Sequence, residues 1–146
     1  MNPDEHAREI LAANDYMTLA TADEHGTPWA SPVYFAANDD ATELYWVSYP
    51  DARHSRNLAQ RNQTGIVVFD STVAPGTGQA VYMEATAEQV PDGEIDHALT
   101  LYPGDPEVTQ FTRADVTGAG RLRLYRARVS AHYVLDDRDR RLPATP

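Results

Sequence analysis

From Tyr16 onward the chain alternates apolar and polar residues over short runs separated by polar breaks, the period-two pattern of half-buried strands. "YMTLATA" (16–22) is rich in strand formers and is closed by "DEHG", Asp23 to Gly26, which reads as a strand and its hairpin turn. "PWASPVYFA" follows, with Trp29, Ser31, Val33 and Phe35 alternating against Ala30, Pro32 and Tyr34. Proline lacks the N–H that a central ladder needs, so this strand is expected at an edge or a bulge. "ELYWVSY" comes after the polar turn "ANDDAT", and the apolar run "GIVVF" (65–69) reads as a buried strand. "AVYMEATAEQV" places Tyr82, Glu84, Thr86 and Glu88 on one face and Val81, Met83, Ala85 and Ala87 on the other. "RLRLYRARVSAHYVL" (121–135) is the last strand.

Three segments carry helical spacing instead. Asn2 caps the first, over about 3–14: Pro3 suits its first turn, Glu5 stands at capping-box distance, and Ala7, Ile10 and Leu11 share a face. Pro50 and Asp51 open the second, with Ala52, Ser55, Leu58 and Ala59 facing inward and Arg53, His54 and Arg56 in its first turns. Asp92 opens the third, which carries Ile95, Ala98, Leu99 and Tyr102. "STVAPGTGQ" and "PGDPEVTQFTRADVTGAG" are loops, the latter with room for one helical turn, and the charged tail from about 137 to 146 is expected to be mobile at its end. Six strands in meander order with flanking helices make a mostly β protein, an antiparallel barrel or curled sheet rather than a βαβ sandwich.

At 146 residues the chain fits one domain, 1–146, and 42% hydrophobic against 23% charged residues is a globular composition. No apolar run reaches the ~18 residues of a membrane span, and "MNPDEHAREIL" does not read as a secretory signal, so a cytoplasmic protein is expected. The absence of cysteine excludes disulfides, thiolate catalysis and cysteine zinc sites. A formal net charge of −10 argues against a nucleic-acid partner, whose phosphates call for an extended basic footprint.

Local charge differs from the total. There is no lysine, so all twelve basic residues are arginines, the side chain whose fork of donors fits phosphate or carboxylate. Seven of them fall in two islands, Arg53 to Arg61 and Arg121 to Arg128. The first island coincides with a helix start, where free backbone N–H groups and the helix dipole favour an anion, so Arg53 with His54 or Arg56 could bind a phosphate; a solvated amphipathic helix is the competing reading. The second island reads as the solvent face of a strand, with an acidic partner or an anionic substrate as alternatives. Beside the first lies "LYWVSYP", whose aromatic and aliphatic side chains could border a planar ring. A phosphate beside a flat heterocycle is what flavin mononucleotide or pyridoxal phosphate requires. None of His6, His25, His54, His97 and His132 stands in a metal-binding pair, no G-x-S-x-G elbow is present, and "PGTGQA" matches neither the P-loop nor the dinucleotide fingerprint. No metal site and no catalytic side chain are nominated.

The succession "LATADEHGTPWASPVYFA", "ELYWVSYPDARHSRNLAQRNQTGIVVFD", "GQAVYMEATAE" resembles the pyridoxamine 5'-phosphate oxidase-like, FMN-binding split-barrel family over about Tyr16 to Gln89, and "RLYRARV" resembles its closing strand. The resemblance implies a six-stranded antiparallel split barrel, a homodimer with two FMN sites at the subunit interface, and an FMN-dependent oxidoreductase working on a small molecule. A deazaflavin coenzyme in place of FMN and a flavin carrier without turnover are the alternatives. Position by position, it implies that Arg53 and His54 bind the flavin phosphate with Ser55, Arg56 and Asn57. Trp46, Val47 and Ser48 run along the flavin, Ser31, Pro32, Val33 and Tyr34 lie below it, and Gln79 is near the ring. Two features of the vitamin-making oxidase are missing: additional basic residues on the strand occupied by Trp29 to Tyr34, and an arginine-x-histidine signature near the carboxyl end, where this chain has "SAHYVLDD". Pyridoxamine phosphate oxidation is therefore not the expected activity.

Overall fold

A computed structural model describes all residues, 1–146. The first helix, α1 (Pro3–Ala13), starts as its sequence dictates: the Asn2 side chain accepts from the N–H groups of Asp4 and Glu5. At its other end the Asn14 amide donates to the Ile10 carbonyl at 2.8 Å, satisfying one of the free terminal carbonyls. The strands β1 (Tyr16–Ala22), β2 (Pro28–Tyr34), β3 (Ala36–Ala37) and β4 (Glu43–Ser48) come before α2 (Arg53–Gln60). Then come β5 (Gln63–Phe69), β6 (Ala80–Gln89), a helical turn at Asp92–Glu94 leading into α3 (Ile95–Leu101), the small hairpin β7 (Gly104–Asp105) and β8 (Thr109–Gln110), and a second helical turn at Arg113–Val116. The long β9 (Arg123–Leu135) and β10 (Arg141–Ala144) complete the chain.

The main sheet has eight strands in the order β2-β1-β5-β6-β9-β4-β3, with β10 added to β9, and all of its pairings are antiparallel. β9 is long enough to pair with β6, β4 and β10, so it joins the two halves of the curl. Between Glu84 and Ala85 the β6–β9 register shifts by one residue, a bulge that bends the strand and sharpens its twist. β2 approaches β4 without pairing to it, which leaves the barrel split. Its interior holds a core of 19 buried residues, including Met17, Leu19, Trp46, Val68, Val81 and Tyr125, closed at one end by Ala7 and Ile10 of α1. A second core of seven residues, among them Tyr45, Ile95, Tyr102 and Leu124, packs α3 on the outer face of β4 and β9.

Several expectations change in detail. The sheet has eight strands rather than six because the two-residue β3 and the four-residue β10 join it. The tail expected to be free carries β10, whose Leu142 and Ala144 pack on the core, while the Thr145 N–H donates to the Asp4 carboxylate at 2.8 Å. The "GIVVF" segment is buried only at alternate positions, with Thr64, Ile66 and Val68 inside. β2 is an edge strand, the place its proline requires. Arg121 lies before β9, and the second arginine island does not share one solvent face. Arg126 is buried among Glu43, Glu88 and Glu94, and Arg123 donates to the carbonyls of Gly118, Gly120 and Leu122.

Candidate functional site

The helix α2 leaves the end of β4 and lies against β1 and β2. Its inner side is pinned by the buried Asn57, whose amide donates to the Thr21 hydroxyl at 3.0 Å. Thr21 in turn donates to the Trp29 carbonyl at 3.4 Å. At its far end Arg61 donates to the Glu24 carbonyl at 3.3 Å and so holds the β1–β2 turn. One helix therefore fixes the position of the hairpin in front of it.

No side chain caps the start of α2, since Ala52 occupies the cap position, so its first N–H groups keep their donor capacity. Around that start, the Arg53 guanidinium lies 4.1 Å from the centre of the Trp29 ring, a cation–π contact that orients it without neutralising it. The His54 Nε2 lies 2.8 Å from the Ser48 hydroxyl, and burial pushes the imidazole below its ordinary 6.5, toward the neutral form. Arg56 is exposed, and neither Arg53 nor Arg56 has a carboxylate partner within the chain. The buried Ser55 hydroxyl has no hydrogen-bond partner. Uncapped N–H groups and two guanidiniums without carboxylate partners are donors that suit an oxyanion such as phosphate, while the Ser55 hydroxyl is enclosed on the inner side of α2.

The other residues expected at the site divide between two surfaces. Trp46 is completely buried and stacks on Tyr125 at 5.7 Å, so its side chain belongs to the core and only its backbone can border a ligand. Val47 and Ser48 are half-buried at the end of β4. On β2, Ser31 and Val33 point into the barrel, whereas Pro32 and Tyr34 are exposed. Gln79 is not brought to the cluster. It precedes Ala80, which pairs with Phe69 at the far end of β5, while α2 leads into the near end of the same strand; seven residues at about 3.3 Å each separate the two. Sequence reasoning missed Trp29 as the platform for Arg53, Thr21 as the anchor for Asn57, and Tyr102. The Tyr102 ring meets Tyr34 at 5.6 Å, and burial together with the neighbouring Tyr34 and Tyr16 pushes its pKa up to about 12. All three contacts cross between elements distant in sequence, so no local pattern announces them.

The fold is an antiparallel split barrel with an uncapped, arginine-bearing helix start beside the open seam. Residues 3–114 match the family model described as pyridoxamine 5'-phosphate oxidase, and the chain belongs to that family. No curated protein matches it. Among solved structures, a heme-binding protein from Mycobacterium smegmatis superposes with a TM-score of 0.74 at 23% identity, over 97% of this chain and 57% of its own. A protein of unknown function from Agrobacterium tumefaciens superposes with a TM-score of 0.71 at 18% identity, over 89% of this chain and 54% of its own. The chain therefore spans little more than half the length of these two. A FAD-binding protein from Mesorhizobium loti is similar over 87% of this chain and 89% of its own, with a TM-score of 0.62 at 20% identity. At these identities the likeness is one of fold.

Proposed function

We propose that the protein is an FMN-binding flavoprotein, an oxidoreductase that passes reducing equivalents from a nicotinamide donor to a small organic acceptor or to oxygen. The observation that carries the reading is the start of α2: two arginines without carboxylate partners and an uncapped helix end, in a chain of net charge −10. Neither guanidinium is neutralised within the chain, which leaves both able to meet an anionic ligand at the helix start. Membership of the family supports a flavin phosphate as that ligand. Arg53 and Arg56 would hold the phosphate, with the first N–H groups of α2 completing its shell. His54 is held by Ser48 at the rim, and the backbone of Val47 and Ser48 is free to meet the edge of a ring. A bound flavin itself supplies the hydride or electron chemistry, so the protein's part is position and electrostatics and no general base is needed.

The distance of Gln79 from α2 favours a site completed by a second copy of the chain. The outer face of the sheet suits such a partner. Cross-strand neighbours Ala20 and Ala30, Thr18 and Pro32, Ala20 and Gly65, and Val67 and Tyr82 make a largely apolar surface, with Glu84 and the Arg141 guanidinium over Tyr82 as charged members and Phe69 49% exposed at its edge. Sedimentation at micromolar concentration should give a dimer, and Ala30→Asp should shift it toward monomer. A monomeric parent protein would remove the interface site.

The test of function is the visible spectrum of the protein after FMN is added and unbound flavin is removed, followed by consumption of reduced nicotinamide. About one flavin per chain with turnover supports the oxidoreductase. Retained flavin without turnover for any acceptor indicates a carrier. A protein that holds a deazaflavin coenzyme but not FMN shifts the cofactor, and a haem spectrum in place of a flavin one would move this chain toward the heme-binding protein it resembles in fold.

A further inference from the structure

At the end of β1 and β2 away from the turn that α2 holds, four aromatic side chains line a cavity of about 300 Å³. Tyr34 meets Tyr16 at 6.0 Å and Tyr102 at 5.6 Å, with ring planes at 79° and 69°, and Phe111 stacks on Tyr102 at 6.1 Å. Rings at such steep angles form walls rather than a stack, and each wall carries the negative face of its π-system. Two carboxylates, Asp15 and Asp105, share the lining, and no basic side chain does. Neither carboxylate has an ion-pair partner within the chain, although one Asp105 oxygen accepts the Glu107 N–H at 2.8 Å. A purely apolar function would not call for unpaired acids at an aromatic cavity; a phosphate or carboxylate ligand would be repelled by them.

From this geometry we infer that the Tyr16–Tyr34–Tyr102–Phe111 cavity is a binding site for a small organic cation, an alkylated amine or quaternary ammonium held by aromatic faces and balanced by Asp15 and Asp105. Its charge preference is opposite to that of the α2 start, so the two sites take different groups. The inference stands without the flavin reading, because none of its residues belongs to the phosphate donor set. If the flavin reading also holds, Tyr102 puts the cation near the end of β4, since Val47 packs against the cluster that holds Tyr102.

The test is calorimetric titration of the flavin-free protein with choline and with its uncharged isostere, in which carbon replaces the nitrogen. Choline should bind about 3- to 30-fold tighter than the isostere, the range a desolvated cation–π site gives. The double variant D15N/D105N, which changes two exposed side chains and keeps their acceptor oxygens, should lower choline affinity to about that of the isostere and leave isostere binding unchanged. Equal binding of the two ligands, no binding of choline up to tens of millimolar, or choline affinity unchanged in D15N/D105N would each overturn the assignment. Flavin retention by the same protein reports separately on the α2 site.

Discussion

Arg126 and Arg128 stand two positions apart on β9 with side chains on the same face, yet one is buried and the other exposed. The reason lies in a distant element: the helical turn before α3 lands on that face and brings the Glu94 carboxylate to 2.9 Å from Arg126, with Glu88 at 3.5 Å and Glu43 at 3.8 Å. A guanidinium only 4% exposed is stable in that position because carboxylates surround it, and they hold it charged well above the usual range. Arg126→Ala should cost about 2–3 kcal/mol of stability, at or below the lower end for breaking a buried pair because the carboxylates left behind keep contact with water. Arg126→Met, which keeps an apolar stem, should cost less. Denaturant unfolding checks both, and a change within about 0.5 kcal/mol for Arg126→Ala would show the pair to be idle. At this scale the sequence is legible where a residue acts on its own neighbours. Asn2 caps α1 and Pro32 marks an edge because their partners are two to three residues away or absent. Arg126 and Trp29 were opaque because burial and stacking are decided by elements tens of residues distant.

Among elements, helix and strand periods told the nine longer segments apart, and the turns between them carried strong signals such as "DEHG". Short elements escaped: β10 is four residues of "RLPA" after a run of charge, a pattern that reads as tail. It is a strand because β9 offers it a ladder and because the turn between them is built by Asp136, which accepts the N–H groups of Arg138 and Arg140 and the Arg140 guanidinium. Removing residues 141–146 exposes the site covered by Leu142 and Ala144 and frees Thr145 from Asp4, so the shortened protein should lose about 2 kcal/mol. Thermal unfolding measures it, and an unchanged midpoint would mean that β10 and its ladder add nothing to stability. The same logic explains α2, which was legible as a helix with a basic start but not as a clamp on the β1–β2 hairpin, since Asn57 and Thr21 are 36 residues apart.

For the whole molecule, charge is the feature that sets behaviour with pH. Hydrogen bonds from Thr27, Thr42, Thr72 and Arg140 hold Asp23, Asp40, Asp70 and Asp136 below the ordinary 3.8, and Arg126 holds Glu94 below 4.5. A carboxyl whose pKa is lower folded than unfolded stabilises the fold above its unfolded value and loses that contribution as pH falls through the folded one. Stability should therefore fall from about pH 4.5 downward. His54, pushed below 6.5, adds a shallower loss that begins near pH 6.5, because protonation favours the unfolded chain. The midpoint of thermal unfolding followed against pH should show both, and a flat profile between pH 4.5 and pH 3 would contradict the carboxylate account. No helix is long and apolar enough to cross a membrane.

Paired titrations with FMN and riboflavin test whether the start of α2 binds the phosphate of a flavin, since the two ligands differ only in that phosphate. Arg53→Ala should weaken FMN by about 10- to 150-fold, the equivalent of about 1.5–3 kcal/mol for one hydrogen bond to a charged group, and leave riboflavin almost untouched. Equal FMN affinity in parent and variant would contradict the account, as would an equal loss for both ligands.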